Sequence, residues 1–208
     1  YSSILIIGGG LSGLTAAWQL GSYGRKIILL EARSRFGGRI LSTGSEQSEA
    51  CDLGPSWFWP GQPLIGSLLD QLDLSYFPQF DAGDILFQSS DGAVYRNPGP
   101  SPLSGALRIK GGMSRVVDKV VASIDASNLF LEHQVTQLTH NHGMVQAEVI
   151  TPSGIELISA NQVAVAIPPR LATDLLFSPE LPRQAKQMLS STPTWMAGHA
   201  KFFAVYPE

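Results

Sequence analysis

Ile4-Leu5-Ile6-Ile7-Gly8-Gly9-Gly10-Leu11-Ser12-Gly13 is the stretch whose reading decides the fold. Four apolar residues, mostly β-branched, read as a short strand buried on both faces, and Gly8 stops it. From Ser12 to about Leu20, the recurrence of Leu14, Ala17, Trp18 and Leu20 suits a packed helix, which Gly21 and Gly24 end. A second apolar run, Ile27 to Leu30, follows. Strand, tight turn, helix and strand in so short a span make a βαβ unit.

Gly8, Gly10 and Gly13 satisfy G-x-G-x-x-G, and their place between strand and helix gives each a task. Gly8 makes the turn, Gly10 lets backbone approach a pyrophosphate, and Gly13 allows close packing of helix on strand. Leu11 and Ser12 open the helix, whose free N–H groups and partial positive charge suit phosphate oxygens. Glu31 ends the second strand, where a carboxylate can accept from both ribose hydroxyls of an adenine dinucleotide and disfavours a 2′-phosphate. The expected fold class is α/β, with a Rossmann-like dinucleotide-binding start.

With 208 residues, 44% apolar and 15% charged, the chain can bury a sizeable core and carries no sign of disorder. A net charge of -3 gives no field for nucleic acid or anionic lipid, so neither is expected as a partner, and small neutral or cationic partners stay open. The single cysteine, Cys51, cannot form an internal disulfide, which leans towards a reducing, cytoplasmic compartment. No apolar stretch approaches the roughly 18 to 20 residues that span a bilayer. The chain begins at Tyr1 rather than Met, which leaves a removed targeting segment open. No metal is called for.

Further along, Ser42 to Ala50 reads as a polar loop or hairpin. Leu64, Ile65, Leu68, Leu69 and Leu72 share one face of a helix. Residues 81–102 alternate strand-like pieces (Ile85 to Phe87, Ala93 to Tyr95) with Gly and Pro, an insertion with its own small sheet. Met113, Val116, Val117, Val120, Val121 and Ile124 recur at helical spacing after the turn at Gly111-Gly112. Strands are expected at Gln134 to Leu138, Met144 to Ile150 and Ile155 to Ser159, the last two joined by a hairpin at Pro152-Ser153-Gly154. Val163 to Ile167 is another buried strand, stopped by Pro168-Pro169. A helix from about Pro182 to Leu189 and a strand from His199 to Tyr206 complete the reading.

Glu31-Ala32-Arg33-Ser34-Arg35-Phe36-Gly37-Gly38-Arg39 closely resembles the E-A-R-x-R-x-G-G-R signature of the flavin-containing amine oxidases of the monoamine and polyamine oxidase type. The resemblance implies FAD as cofactor. It places Gly37-Gly38 close to FAD, the planar donor fork of Arg39 at the pyrophosphate, and Ala32 and Arg33 near the adenosine end. Arg35 is read as a solvated surface charge.

Asp52-Leu53-Gly54-Pro55-Ser56-Trp57 resembles the family's D-x-G-G turn, whose backbone passes along the flavin. That likeness makes Gly54, Pro55, Ser56 and Trp57 cofactor-site candidates. Pro55 departs from the usual second Gly and removes one N–H. Trp57 and Trp59 either line the flavin or pack a domain junction. The resemblance also implies that the main chain at Val135 holds the adenine, that Val163 to Pro169 returns to the flavin domain, and that Lys201 faces flavin N5 through a water. His199 reads as a packing or surface histidine.

The architecture so implied has residues 1–75 and 108–170 as a discontinuous FAD-binding domain, with 76–107 and 171–208 as part of an α+β substrate domain. Family members are about twice as long, so the chain resembles an N-terminal half, with a C-terminal half expected as its partner. The implied reaction is oxidation of an amine C–N bond by hydride transfer to flavin N5, with reoxidation by oxygen. Two rivals stay open: C–C oxidation of the desaturase or porphyrin-precursor oxidase kind, and a non-catalytic nucleotide-binding fragment.

Overall fold

A computed structural model of the chain describes residues 3–43, 50–97, 99, 101, 103–194, 198 and 200–204. The opening unit is β1 (Ser3–Ile7), α1 (Leu11–Ser22) and β2 (Lys26–Leu30), with β1 and β2 parallel from Ser3↔Lys26 to Ile7↔Leu30. Two compact units divide the chain, one of residues Tyr1–Leu41 with Val117–Glu208, the other of Ser42–Val116. Compactness thus follows lines different from the implied domains at 1–75 and 108–170, which concern function.

In the first unit, β1 lies between β2 and the strand Gln162–Val165, and the short strand Leu129–Phe130 pairs with β2 on its other side, all in parallel. Gln134–Asn141, Met144–Thr151 and Gly154–Ala160 form an antiparallel meander, and Leu176–Ser178 adds a parallel edge to the first of them. Along Met144–Thr151 burial alternates, with Ala147, Val149 and Thr151 inward. Ala147 and Val149 meet Leu5, Ile7 and Leu30 of the parallel sheet, with Val135 and Leu138, in one apolar cluster. Two sheets therefore share a core, to which the apolar run at the start of the chain contributes Leu5 and Ile7.

The second unit is made of small pieces. Ser42–Thr43 pairs antiparallel with Cys51–Asp52, as the hairpin reading expects; positions 44–49 lie outside the described residues. Helix Pro63–Gln71 starts with Pro at its first turn, where the missing N–H is harmless. Leu69 and Leu72 are buried, but Leu64 is 87% exposed, so the expected five-residue face is narrower. Leu64 sits in the first turn, a full turn ahead of the buried pair. Tyr76–Pro78 pairs with Leu107–Ile109, and Leu86–Gln88 with Val94–Arg96 forms the small sheet expected of the insertion. Asp84 accepts hydrogen bonds from Asn97 and Arg96, which lower its pKa, the first the more, and tie the base of that hairpin. The helix Ser114–Ala122 buries Val116, Val117 and Val120 and carries the chain back to the first unit.

Several elements are not legible in the residue pattern. Leu129–Phe130 and Leu176–Ser178 are too short to show a period. The strand expected over Val163 to Ile167 runs from Gln162 to Val165 and ends before Pro168-Pro169, where a one-turn helix, Pro169–Ala172, starts. The expected strand His199 to Tyr206 is not formed over the described residues 200–204, which are irregular; residues 199, 205 and 206 lie outside the description. A strand needs a neighbour to take its N–H and C=O groups, and no described strand pairs with this segment. Among the described residues, no helix is long and apolar enough to cross a membrane.

Because Leu5 lies fully inside the shared core, Leu5→Ala is expected to cost about 2–5 kcal/mol. Leu64→Ala should stay within about 0.5 kcal/mol. Urea unfolding of the two variants checks both; equal effects would show that Leu5 does not bear on the core.

Candidate functional site

β1 ends at Ile7 and the chain turns at Gly8, whose φ of +108° suits glycine alone. Gly8 N–H donates to Leu30 O at 2.8 Å, continuing the ladder past the strand. On its other side a Cβ at Gly8 would fall 2.7 Å from Ile167 Cγ2 and 2.9 Å from Ala166 O. The segment after Gln162–Val165 thus presses against the turn, as the implied return to this domain requires. A Cβ at Gly13 would lie 2.0 Å from Gly8 O, so no side chain fits between helix and turn.

Gly10 is different. It caps α1 with φ -75° and ψ 174°, a conformation open to any residue, and the nearest atom to its Cβ position is Gly38 Cα at 4.0 Å. Lacking a side chain, it cannot cap the first-turn amides, which lie at Leu11, Ser12 and Gly13. Space above Gly10 and donors beside it are the two features an anionic pyrophosphate needs. Gly9, which the motif leaves unspecified, is as constrained as its neighbours: a Cβ there would meet Phe36 Cδ1 at 2.6 Å and Glu31 Cβ at 2.9 Å. The run of three glycines was the available signal.

Glu31 is 8% exposed, and its carboxylate is occupied by main chain. Oε2 accepts from Gly9 N–H at 2.7 Å and Oε1 from Arg33 N–H at 2.9 Å. Its own backbone is held on both sides, N–H donating to Phe130 O and C=O accepting from His133 N–H, each at 2.9 Å. The expectation of a ribose acceptor is therefore joined by a structural duty. A carboxylate oxygen has a second lone pair, so the two are compatible. Ala32 and Arg33 are exposed beside it.

Gly37 and Gly38 both have positive φ, +103° and +58°. Gly37 N–H donates to Gly9 O at 2.8 Å, and Gly10 and Gly37 form a parallel bridge. A Cβ on Gly38 would come 3.2 Å from Gly10 Cα, so the two glycine loops lie backbone to backbone. Arg39 is exposed at the loop's end. The reading of Arg35 as a solvated charge is corrected: its side chain is half-buried and donates to the carbonyls of Phe36, Gly38 and Ile40. Left-handed glycines turn those carbonyls inward, and a planar fork of donors matches them.

The remaining candidates are placed as follows. Val135 is buried in the shared core of the first unit, opposite Val149. Lys201 is half-buried, with Nζ 5.7 Å from the centre of the Phe203 ring, while Phe202 is 90% exposed. His199 lies outside the described residues.

Gly54, Pro55, Ser56 and Trp57 belong to the second unit. Pro55 is exposed, Ser56 is buried, and Trp57 donates its indole N–H to Gln79 Oε1 at 2.9 Å. The residue ahead of them carries more of the local order. Asp52 is buried, and its Oδ1 accepts from Ser42 Oγ at 2.5 Å and from Met113 N–H at 2.7 Å, with the Arg108 guanidinium 4.0 Å from Oδ2. Ser42 and Ser114 exchange reciprocal bonds of 2.9 and 3.1 Å in the same knot. Sequence reasoning quoted Asp52 only as the head of a turn; a lone acid before an apolar turn was the signal.

At position 31 a neutral isostere acts on the loop itself. Glu31→Gln offers one carbonyl oxygen to two main-chain donors and sets an NH2 against one of them. The folded first unit is expected to lose about 1.5–3 kcal/mol, the worth of a hydrogen bond to a charged group. Denaturant titration of the ligand-free protein measures it. Unchanged stability would leave the carboxylate without a role in holding the loop.

A family model described as NAD(P)-binding Rossmann-like domain matches residues 6–72, and one described as flavin containing amine oxidoreductase matches residues 101–208. The probable flavin-containing monoamine oxidase A of Dictyostelium discoideum is 31% identical over 124 residues, 59% of this chain and 27% of that protein. The putrescine oxidase of Kocuria rosea is 30% identical over 126 residues, 60% of this chain and 26% of that protein. These matches span about a quarter of each relative's length. Among solved structures, putrescine oxidase bound to putrescine superposes with a TM-score of 0.76 at 20% identity, covering 90% of this chain and 63% of that one. Cyclohexylamine oxidase from Brevibacterium oxydans IH-35A gives 0.78 at 18% identity, covering 91% and 63%. At those identities the superpositions speak for the fold, and the second family model covers more than half of the chain: it belongs to the flavin containing amine oxidoreductases.

Proposed function

We propose that this chain binds FAD over Gly10 and supplies the dinucleotide-binding part of an enzyme that oxidises the C–N bond of an amine. One observation carries the reading: the uncapped start of α1, with open space over Gly10, adjoins a buried carboxylate and a second glycine loop. The residues fit the cofactor. First-turn amides at Leu11, Ser12 and Gly13 and the side chain of Arg39 donate to the pyrophosphate. Glu31, fixed by Gly9 and Arg33, accepts from the ribose hydroxyls. Gly37 and Gly38 keep the second loop free of side chains where it passes.

On the resemblance alone, the backbone at Val135 serves the adenine and the turn Gly54-Pro55-Ser56-Trp57 serves the flavin. The same ground supports a functional FAD domain of residues 1–75 and 108–170, and a part of the substrate domain in 76–107 and 171–208. When bound, FAD supplies hydride acceptance from the carbon next to an amine nitrogen. Lys201 is the cation proposed to act during turnover with oxygen. That the relatives are a monoamine oxidase and a putrescine oxidase by name supports an amine as the substrate.

Extraction of the native protein and mass identification of the released nucleotide should yield FAD. Recovery of NAD alone would refute the proposal, because the acid at position 31 serves either dinucleotide but the Arg33 to Arg39 loop is of the flavin kind.

Lys201→Met keeps the length of the side chain and removes its charge. In the full-length enzyme, FAD affinity is expected to hold while turnover with oxygen slows about tenfold or more, roughly 1.4 kcal/mol per tenfold. Stopped-flow reoxidation is the direct measurement, and a wild-type rate would assign Lys201 to the surface.

A further inference from the structure

The side chain of Arg35 turns back into its own loop. Nη1 lies 3.1 Å from both Phe36 O and Ile40 O, and Nη2 lies 2.8 Å from Gly38 O. The peptides that carry these carbonyls are trans. In a planar trans peptide the N–H of the next residue points to the side opposite the C=O. For the first peptide this is directly visible: Phe36 C=O faces the guanidinium, and Gly37 N–H faces away and donates to Gly9 O at 2.8 Å. The Gly38–Arg39 peptide obeys the same geometry. With Gly38 C=O held by Nη2, Arg39 N–H is directed away from the guanidinium, and among the described residues it meets no acceptor. It leaves from Gly38, the residue that lies against Gly10 at the head of α1.

We infer that Arg35 is a positioning residue for the pyrophosphate of the dinucleotide: by drawing three carbonyls inward it turns the Arg39 main-chain N–H outward, as a phosphate donor next to the first-turn amides of α1. This rests on the FAD reading above. Two effects act together. The amide plane is fixed before the ligand arrives, so little ordering is left for binding to oppose. Carbonyl oxygens, which repel an anion, are turned away from it and offset by a charge that stays ionised. Lysine cannot replace this, since one ammonium does not span three carbonyls with a planar fork.

The test begins with unaltered full-length protein, labelled with nitrogen-15 and titrated with FAD. The Arg39 amide proton should move downfield as it gains an anionic acceptor, more than amides outside the loops Gly8 to Gly13 and Gly37 to Arg39. Binding of ADP and of adenosine is then compared in wild type, Arg35→Lys and Arg35→Met. ADP affinity is expected to fall about tenfold or more in Arg35→Met and by less in Arg35→Lys, with adenosine affinity within about twofold in both. If wild type binds no FAD, the FAD reading itself fails. If FAD binds and the Arg39 amide does not move, the inference about Arg35 fails and the FAD reading stands. Equal losses for ADP and adenosine also overturn the inference, since they mean that the loop has merely collapsed. Should neither variant fold, the amide shift in wild type decides.

Discussion

The contact between Gly38 and Gly10 is the constraint on which the first unit depends. With a Cβ on Gly38 only 3.2 Å from Gly10 Cα, the two loops meet at a separation where a side chain would have to push the facing backbone aside. Gly37 N–H to Gly9 O ties them one residue earlier, and the Glu31 carboxylate ties Gly9 to the end of β2. Three events in the chain are thereby locked together: the end of β1, the start of α1 and the departure from β2. Each link is local in sequence, between residues 8 and 39, so the loop-closure cost is modest and the cluster can form early on the scaffold of the parallel pair.

Both buried carboxylates follow one logic. Burying an isolated charge is expensive, and the usual remedy is an ion pair. Glu31 is solvated by two main-chain N–H groups, and Asp52 accepts from a serine hydroxyl and the Met113 N–H and also lies 4.0 Å from the Arg108 guanidinium. Charge-assisted bonds to backbone suit this purpose because they fix the path of the chain and not only a side chain. In the first unit the bond shapes a loop that faces solvent and carries donors. In the second it holds the short pairing Ser42–Thr43 with Cys51–Asp52 against the start of the Ser114–Ala122 helix, where so short a hairpin has little stability of its own.

How far the sequence could be read depends on the length scale of the feature. The βαβ unit was legible because strand, turn and helix each leave a signal, and Gly13 and Gly8 turn out to have the close approach that their spacing announces. Met144–Thr151 was legible to within one residue, Gln134–Asn141 was expected only as far as Leu138, and Leu129–Phe130, which supplies the carbonyl that receives Glu31 N–H, has no period to read. Arg35 was misread for a different reason. A charge among polar residues is solvated by default, and only the left-handed turns at Gly37 and Gly38 create the ring of carbonyls that draws it in. Glycine signals that such a turn is possible but not where its carbonyls will point. Leu64 shows the converse error, where helical periodicity was right and the neighbour to pack against was missing.

The two ends of the proposed cofactor site differ in how they are organised. At the adenosine and pyrophosphate end, Glu31 has both carboxylate oxygens engaged by backbone, so its side chain cannot swing to follow a ligand and must be met in the orientation the fold gives it. Selectivity there is geometric: the ribose hydroxyls have to arrive where the second lone pairs already point. Lys201 stands in contrast, in an irregular segment with an aromatic ring 5.7 Å from its ammonium. A cation over a ring face is attracted by about 0.5–1 kcal/mol where solvent reaches it. The proposed dinucleotide contacts are thus built among neighbours in sequence, between residues 8 and 39, while the proposed reacting end draws on a residue far along the chain, in a segment without regular structure.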